Sequence, residues 1–289
     1  MLLTSLLAAL SALAAPAAPQ DPAPEPAAEA PEPVDPAEAA ARIKEVLKGK
    51  DYVVAAATLE ELGSIEDKAV VKAVAAGLKS KDKLVKTAAI RALRYNPSSA
   101  ALDELLKRAK DKSIIEDPEL AVEYYYALGQ HGDRKAVKVL ADDLFSGAKG
   151  DKVAKARIAA LGHIRHKDSV DELMGYMVSS GGRRRGGGGP RYQQDVRLAL
   201  IVLTGEDHGT DSVAWLKWWG DHKNRLKISP EEWPLPSAKL QRQWQLLWAT
   251  PQEKEEARKR LEEKRRQREA GGEDPEKDED DGGDEDGGR

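Results

Sequence analysis

Residues Asp117–Gly147 read DPELAVEYYYALGQHGDRKAVKVLADDLFSG. The phrase spells a helix, a short turn at Gly129–Asp133 and a second helix, and variants of it recur along most of the chain. With Leu128, the last apolar residue before the turn, as origin, the equivalents are Leu62, Leu93, Leu161 and Leu203, at spacings of 31, 35, 33 and 42 residues. Three residues before each origin stands Leu59, Ile90, Tyr125, Ile158 or Leu200. Eight before stands Val54, Val85, Leu120 or Val153, and the pattern breaks at Asp195. Nine after stands Val71, Leu102, Val137 or Val170, with Val213 at ten in the last unit. Self-similarity at a period of roughly 20–50 residues marks stacked repeats, each burying its apolar face against the next.

The second helix of each unit gives the cleaner signal. Positions i, i+3, i+4 and i+7 share a helix face. They hold Val71/Val74/Ala75/Leu78, Leu102/Leu105/Leu106/Ala109, Val137/Leu140/Ala141/Leu144 and Val170/Leu173/Met174/Met177. Lys72, Asp103, Lys138 and Asp171 beside them are charged. Gly63, Gly129, Gly162 and Gly205 directly follow four of the origin leucines, where a left-handed glycine would end the helix. The second unit has Arg94 there instead, followed by Tyr95-Asn96-Pro97.

Composition narrows the chemistry. With no cysteine, disulfides, thiolate metal sites and cysteine nucleophiles are excluded. The net charge of −4 is unevenly placed: Gly271–Arg289 holds ten acids and two bases, so the remainder is close to neutral for its size. That is not the footprint of a strongly basic nucleic-acid protein.

Along the chain, residues 1–14 (MLLTSLLAALSALA) read as a secretory signal peptide, too short for a comfortable membrane span. No transmembrane span is expected in the mature chain, which is placed in the periplasm or outside the cell. Residues 15–36 are a Pro/Ala-rich linker with too few bulky side chains to fold. Asp35-Pro36-Ala37-Glu38 signals a helix start, and the repeat domain is expected over 37–228. It is interrupted by the Gly/Arg loop at 179–191 (SSGGRRRGGGGPR), which explains the longest spacing. Leu203–Trp219 (LTGEDHGTDSVAWLKWW) reads as a terminal unit whose tryptophans close the core. All six tryptophans lie from Trp215 onward, and 229–250 reads as a Trp-rich C-terminal cap. Its helix, Ser237–Ala249, carries Leu240, Trp244, Leu247 and Trp248 on one face and is expected to fold back on the end of the stack. Residues 251–270 form a charged helix and 271–289 an acidic disordered tail.

The phrases ALGQHGDRKAVKVL (Ala127–Leu140) and ARIAALGHIRHKDSVDELM (Ala156–Met174) resemble HEAT-type repeats, especially the short HEAT-like class related to bilin-lyase repeats. In that family the first helix ends in Ala-Leu-Gly, an aspartate stands in the turn, and the second helix begins Ala-Val. Asp67, Asp133 and Asp168 match the turn position approximately. The resemblance covers about 170 residues. It implies an all-α fold: a right-handed α-solenoid of about five antiparallel helix pairs with capping helices at both ends.

No G-x-S-x-G, H-E-x-x-H, phosphate loop or strand-linked G-x-G-x-x-G is present. The expectation is therefore a non-catalytic exported scaffold, without a cofactor, that binds a protein or peptide. One alternative is a HEAT-like lyase-type enzyme acting on a bound ligand. The other is anionic-polymer binding through Arg183, Arg184, Arg185 and Arg191; the loop lacks the interleaved aromatics that nucleic acid would need. Three consecutive tyrosines cannot share one helix face, so Tyr124 and Tyr126 are candidate contacts, Tyr126 the more outward of the two. His131 and His163 stand at similar turn positions in successive units and join them as candidates; with His166 they could instead form a metal-binding cluster. Asp207, His208 and Asp211 could hold a metal, but in a glycine turn they read first as helix caps.

Overall fold

The computed structural model describes residues 34–142, 144, 150–179 and 192–271. The chain divides into two units, Met1–Val34 and Asp35–Arg289, and every helix among the described residues belongs to the second. The signal peptide, nearly all of the linker, the loop at 180–191 (with Arg183, Arg184 and Arg185) and the tail from residue 272 lie outside the described residues.

Among the described residues there are helices and no strand: α1 (Pro36–Val46), α2 (Tyr52–Leu62), α3 (Lys68–Gly77), α4 (Lys83–Tyr95), α5 (Ser99–Leu106), α6 (Lys112–Ile115), α7 (Pro118–Gln130), α8 (Val137–Ala141), α9 (Asp151–His163), α10 (Lys167–Ser179), α11 (Gln193–Thr204), α12 (Ser212–His222), α13 (Ala238–Trp248) and α14 (Pro251–Gly271). Short polar residues start most of them. Asp35, Asp51, Asp67, Asp82, Ser98, Asp117 and Asp211 each accept a backbone N–H at the N-terminus of the helix they precede, satisfying groups that no helical carbonyl can reach. Asp168 departs from its expected turn role. It lies inside α10, pairs with Arg134, and its N–H is received by the His166 ring instead.

The first helices of successive units stack in one layer, α2 on α4, α4 on α7, α7 on α9 and α9 on α11. In the second layer α1 packs on α3, α3 on α5, α8 on α10 and α10 on α12. The origin leucines Leu62, Leu93, Leu128, Leu161 and Leu203 are buried where the layers meet, as are Val71, Leu102, Val137 and Val170. The extra turn α6 lengthens the second unit; the buried Lys86 amine donates to the Ser113 hydroxyl on it.

Three register expectations are corrected. Val54 and Val213 are exposed: Val54 is in the first turn of the first helix of its layer, and α12 turns Trp215, Trp218 and Trp219 inward in place of Val213. Of the four glycines, only Gly205 is left-handed (φ 78°). Gly129 and Gly162 are there for close approach. A Cβ on Gly129 would lie 2.7 Å from the Ala160 Cβ, and one on Gly162 equally close to that of Ala199. Ala199 precedes Leu203 by four residues whereas Ala160 precedes Leu161 by one. The last pairing has thus slipped by about one helical turn, and this is where Asp195 breaks the pattern.

Candidate interaction surface

The ends of the first-layer helices form a row of turns, and the chain crosses back along it. After α12 a non-helical segment returns over the fifth unit. Arg165 gathers it, donating to the carbonyls of Val202, Ser229 and Glu231 at 2.7, 2.9 and 2.6 Å. The Trp233 N–H donates to the same Val202 carbonyl, and its ring lies against Gly205, where a Cβ would come within 2.8 Å. Glu232 then bridges two elements. One oxygen is 2.9 Å from Nδ1 of His163, and the other accepts the Trp244 indole N–H at 2.9 Å.

Helix α13 continues the crossing one unit at a time. The Trp244 ring rests against Gly162 and the Trp248 ring against Gly129. Trp248 also stacks on His163, with centroids 4.0 Å apart and planes 8° apart, and meets Tyr126 edge-on at 5.9 Å. The last carbonyls of a helix have no partner within it. Here Arg94 donates to the Leu247 carbonyl at 2.5 Å and Gln130 to that of Trp248 at 3.0 Å. Gln130 is held in turn by Arg94. The guanidinium also faces the rings of Tyr95, Tyr126 and Trp248, a cation at the negative end of a helix dipole. Burial lowers its pKa from the ordinary arginine value. Then Thr250 and Glu253 exchange hydrogen bonds as a capping box and start α14.

Four of the sequence-predicted contacts, Tyr124, Tyr126, His131 and His163, therefore face inward. Tyr124 is fully buried and donates to the Leu105 carbonyl at 2.9 Å; burial pushes its hydroxyl well above the usual tyrosine range. It is a core residue because α7 is packed by α4, α5, α6 and α9 together. Tyr126 is half-buried beneath Trp248 and Arg94. His131 places Nε2 3.0 Å from the Leu93 carbonyl, and burial lowers its pKa. His163 belongs to the Trp248–Glu232 contact. Sequence reasoning missed Arg94, Gln130, Arg165 and Glu232. The one available signal was Arg94 standing where other units have glycine.

Among the described residues no group of three or more His, Cys, Asp or Glu could hold a metal. Asp207 takes Arg197 in two hydrogen bonds, Asp211 caps α12, and His208 lies edge-on to Trp215. A groove of about 1070 Å³ opens between α8 and α10, lined by Asp133, Lys138, Asp142, Asp171 and Glu172 among others. Burial, then Asp171 and Asp168, raise the pKa of Glu172. At the opposite ends of the first-layer helices, the first turn of α2 exposes Tyr52, Val53 (70 %) and Val54, and that of α4 exposes Leu84 (49 %). Val53 and Leu84 each lie nine residues before their origin leucines, on helices that pack side by side.

Residues 39–116 match the family model for HEAT repeats. The match runs from within α1 to just past α6, and with the helical structure of the described residues it supports a HEAT-like repeat protein. No curated protein matches the chain. No helix among the described residues is long and apolar enough to cross a membrane.

Proposed function

We propose that the chain is a non-catalytic, exported scaffold that binds a protein partner through the first turns of α2 and α4. The observation that carries this is the uncovered set Tyr52, Val53, Val54 and Leu84. Exposed apolar side chains gathered across neighbouring elements mark interaction sites, and HEAT repeats commonly serve as protein-interaction scaffolds. In this reading the units form a right-handed solenoid of the short HEAT-like class related to bilin-lyase repeats. Residues 1–14 direct export.

The test is capture from the envelope fraction with the wild-type chain and with a Val53→Asp/Leu84→Asp chain. Both side chains are exposed, so stability should change by less than about 0.5 kcal/mol each, while the captured protein is lost. Capture of the same protein by both chains overturns the assignment of the surface. N-terminal sequencing of the exported protein should begin near Ala15; an intact Met1 in the cytosol overturns export.

A further inference from the structure

A second surface is already filled. We infer that the row of turns beneath α13 is a binding site for tryptophan-bearing amphipathic helices, held in cis by α13 and open to a partner helix of the same chemistry in trans. This is independent of the α2–α4 surface.

The site is built to recognise a helix more than a sequence. Arg94 and Gln130 donate to backbone carbonyls, those of Leu247 and Trp248. Any helix ending there presents the same two acceptors. The rings need only space: Trp244 and Trp248, four residues apart on one face of α13, rest against Gly162 and Gly129 of successive units. His163 supplies a flat platform for the second ring. The specific requirement on a ligand is thus two aromatic residues spaced i, i+4 near the C-terminus of a helix, with a carboxylate placed as Glu232 is.

The cis occupant fits incompletely. Trp248 is 7 % exposed and its indole N–H meets no acceptor. A buried donor left unpaired costs the desolvation of that group, so a helix with phenylalanine there, or with an acceptor beside the ring, would fit better. Among the described residues, one backbone–backbone hydrogen bond, from Trp233 to Val202, joins the crossing segment to the stack. Besides its direct contacts, α13 has the advantage of its tether. A short linker sets an effective concentration of the order of millimolar, and a free helix must compete with that.

The probe is a fluorescently labelled peptide of residues 229–250. In the full chain, Trp244→Ala with Trp248→Ala should empty the site, and the peptide should bind this chain at least tenfold more tightly than the wild type. Adding His163→Ala and Gln130→Ala should reverse the gain, since the peptide then loses its stacking platform and one donor to its last carbonyls. A peptide with both tryptophans replaced by alanine should not bind. Where circular dichroism shows the double-tryptophan chain unfolded, Trp248→Ala alone takes its place, because it clears the seat against Gly129 and His163. Equal binding by wild-type and emptied chains, or binding that survives either control, overturns the proposal.

Discussion

Arg94 and Gly129 occupy the same position in successive units and serve the same helix by opposite means. Gly129 offers absence: without a side chain, α9 and the Trp248 ring both come close. Arg94 offers presence: a buried guanidinium that reaches the end of α13 and holds Gln130 on the way. A repeat register dictates where a residue stands and not what it does there. The unit that departs from the common residue is the one where the crossing helix ends.

The comparison breaks most completely if its shared origin is wrong. Leu128→Ala truncates a side chain fully buried between the layers. It should lower unfolding free energy by roughly 2–5 kcal/mol, measured by urea denaturation; a change below about 0.5 kcal/mol, the scale of surface substitutions, would place Leu128 outside the core. Gly129→Ala puts a Cβ within 2.7–2.9 Å of Ala160 and Trp248. It should cost about 1–3 kcal/mol through overpacking and raise protease cleavage between 223 and 237. Unchanged stability and cleavage would mean the glycine is incidental. Arg94→Met keeps much of the buried stem but strands the Leu247 carbonyl and Gln130. A loss of about 1–3 kcal/mol is expected, and a neutral result would make the guanidinium dispensable to α13.

The smallest effect sharpens the contrast one residue beyond Gln130. Burial holds the His131 pKa below its ordinary value, so the unfolded chain takes the proton first as pH falls. The associated stability is present above about pH 6.5 and drains as pH drops through the lower folded value. His131→Gln should flatten the dependence of melting temperature on pH between about 7.5 and 5.5 relative to wild type. Parallel curves for the two chains would show that His131 does not titrate differently on folding.

The stack is legible in the sequence because its signals are local. An apolar residue at a fixed offset from Leu128 reports a helix face, and Asp35-Pro36 reports a helix start, without knowledge of anything distant. Exposure at Val54 and Val213 is not legible, since apolar character says that a face could be covered and not that a neighbour is present. Tyr124 misleads for the reverse reason. Helical period separates it from Tyr125, but α7 is enclosed on enough sides to bury both. The amphipathic face of α13 is visible too, and it points to a backward fold at the end of the stack. The helix instead lies along the turns of units two to four. Its seats are single residues in different units, each unremarkable in its own window: a glycine, a histidine, a glutamine and one arginine.

The crossing helix also changes how such a molecule comes apart. A stack of repeats is held by nearest neighbours and can fray from either end, one unit at a time. Here hydrogen bonds span 153 residues from Arg94 to Leu247 and 118 from Gln130 to Trp248. The last unit cannot detach without straining the ties on the second. Units two to five are therefore expected to open together, and the first unit, which the crossing helix does not reach, to be the one that frays.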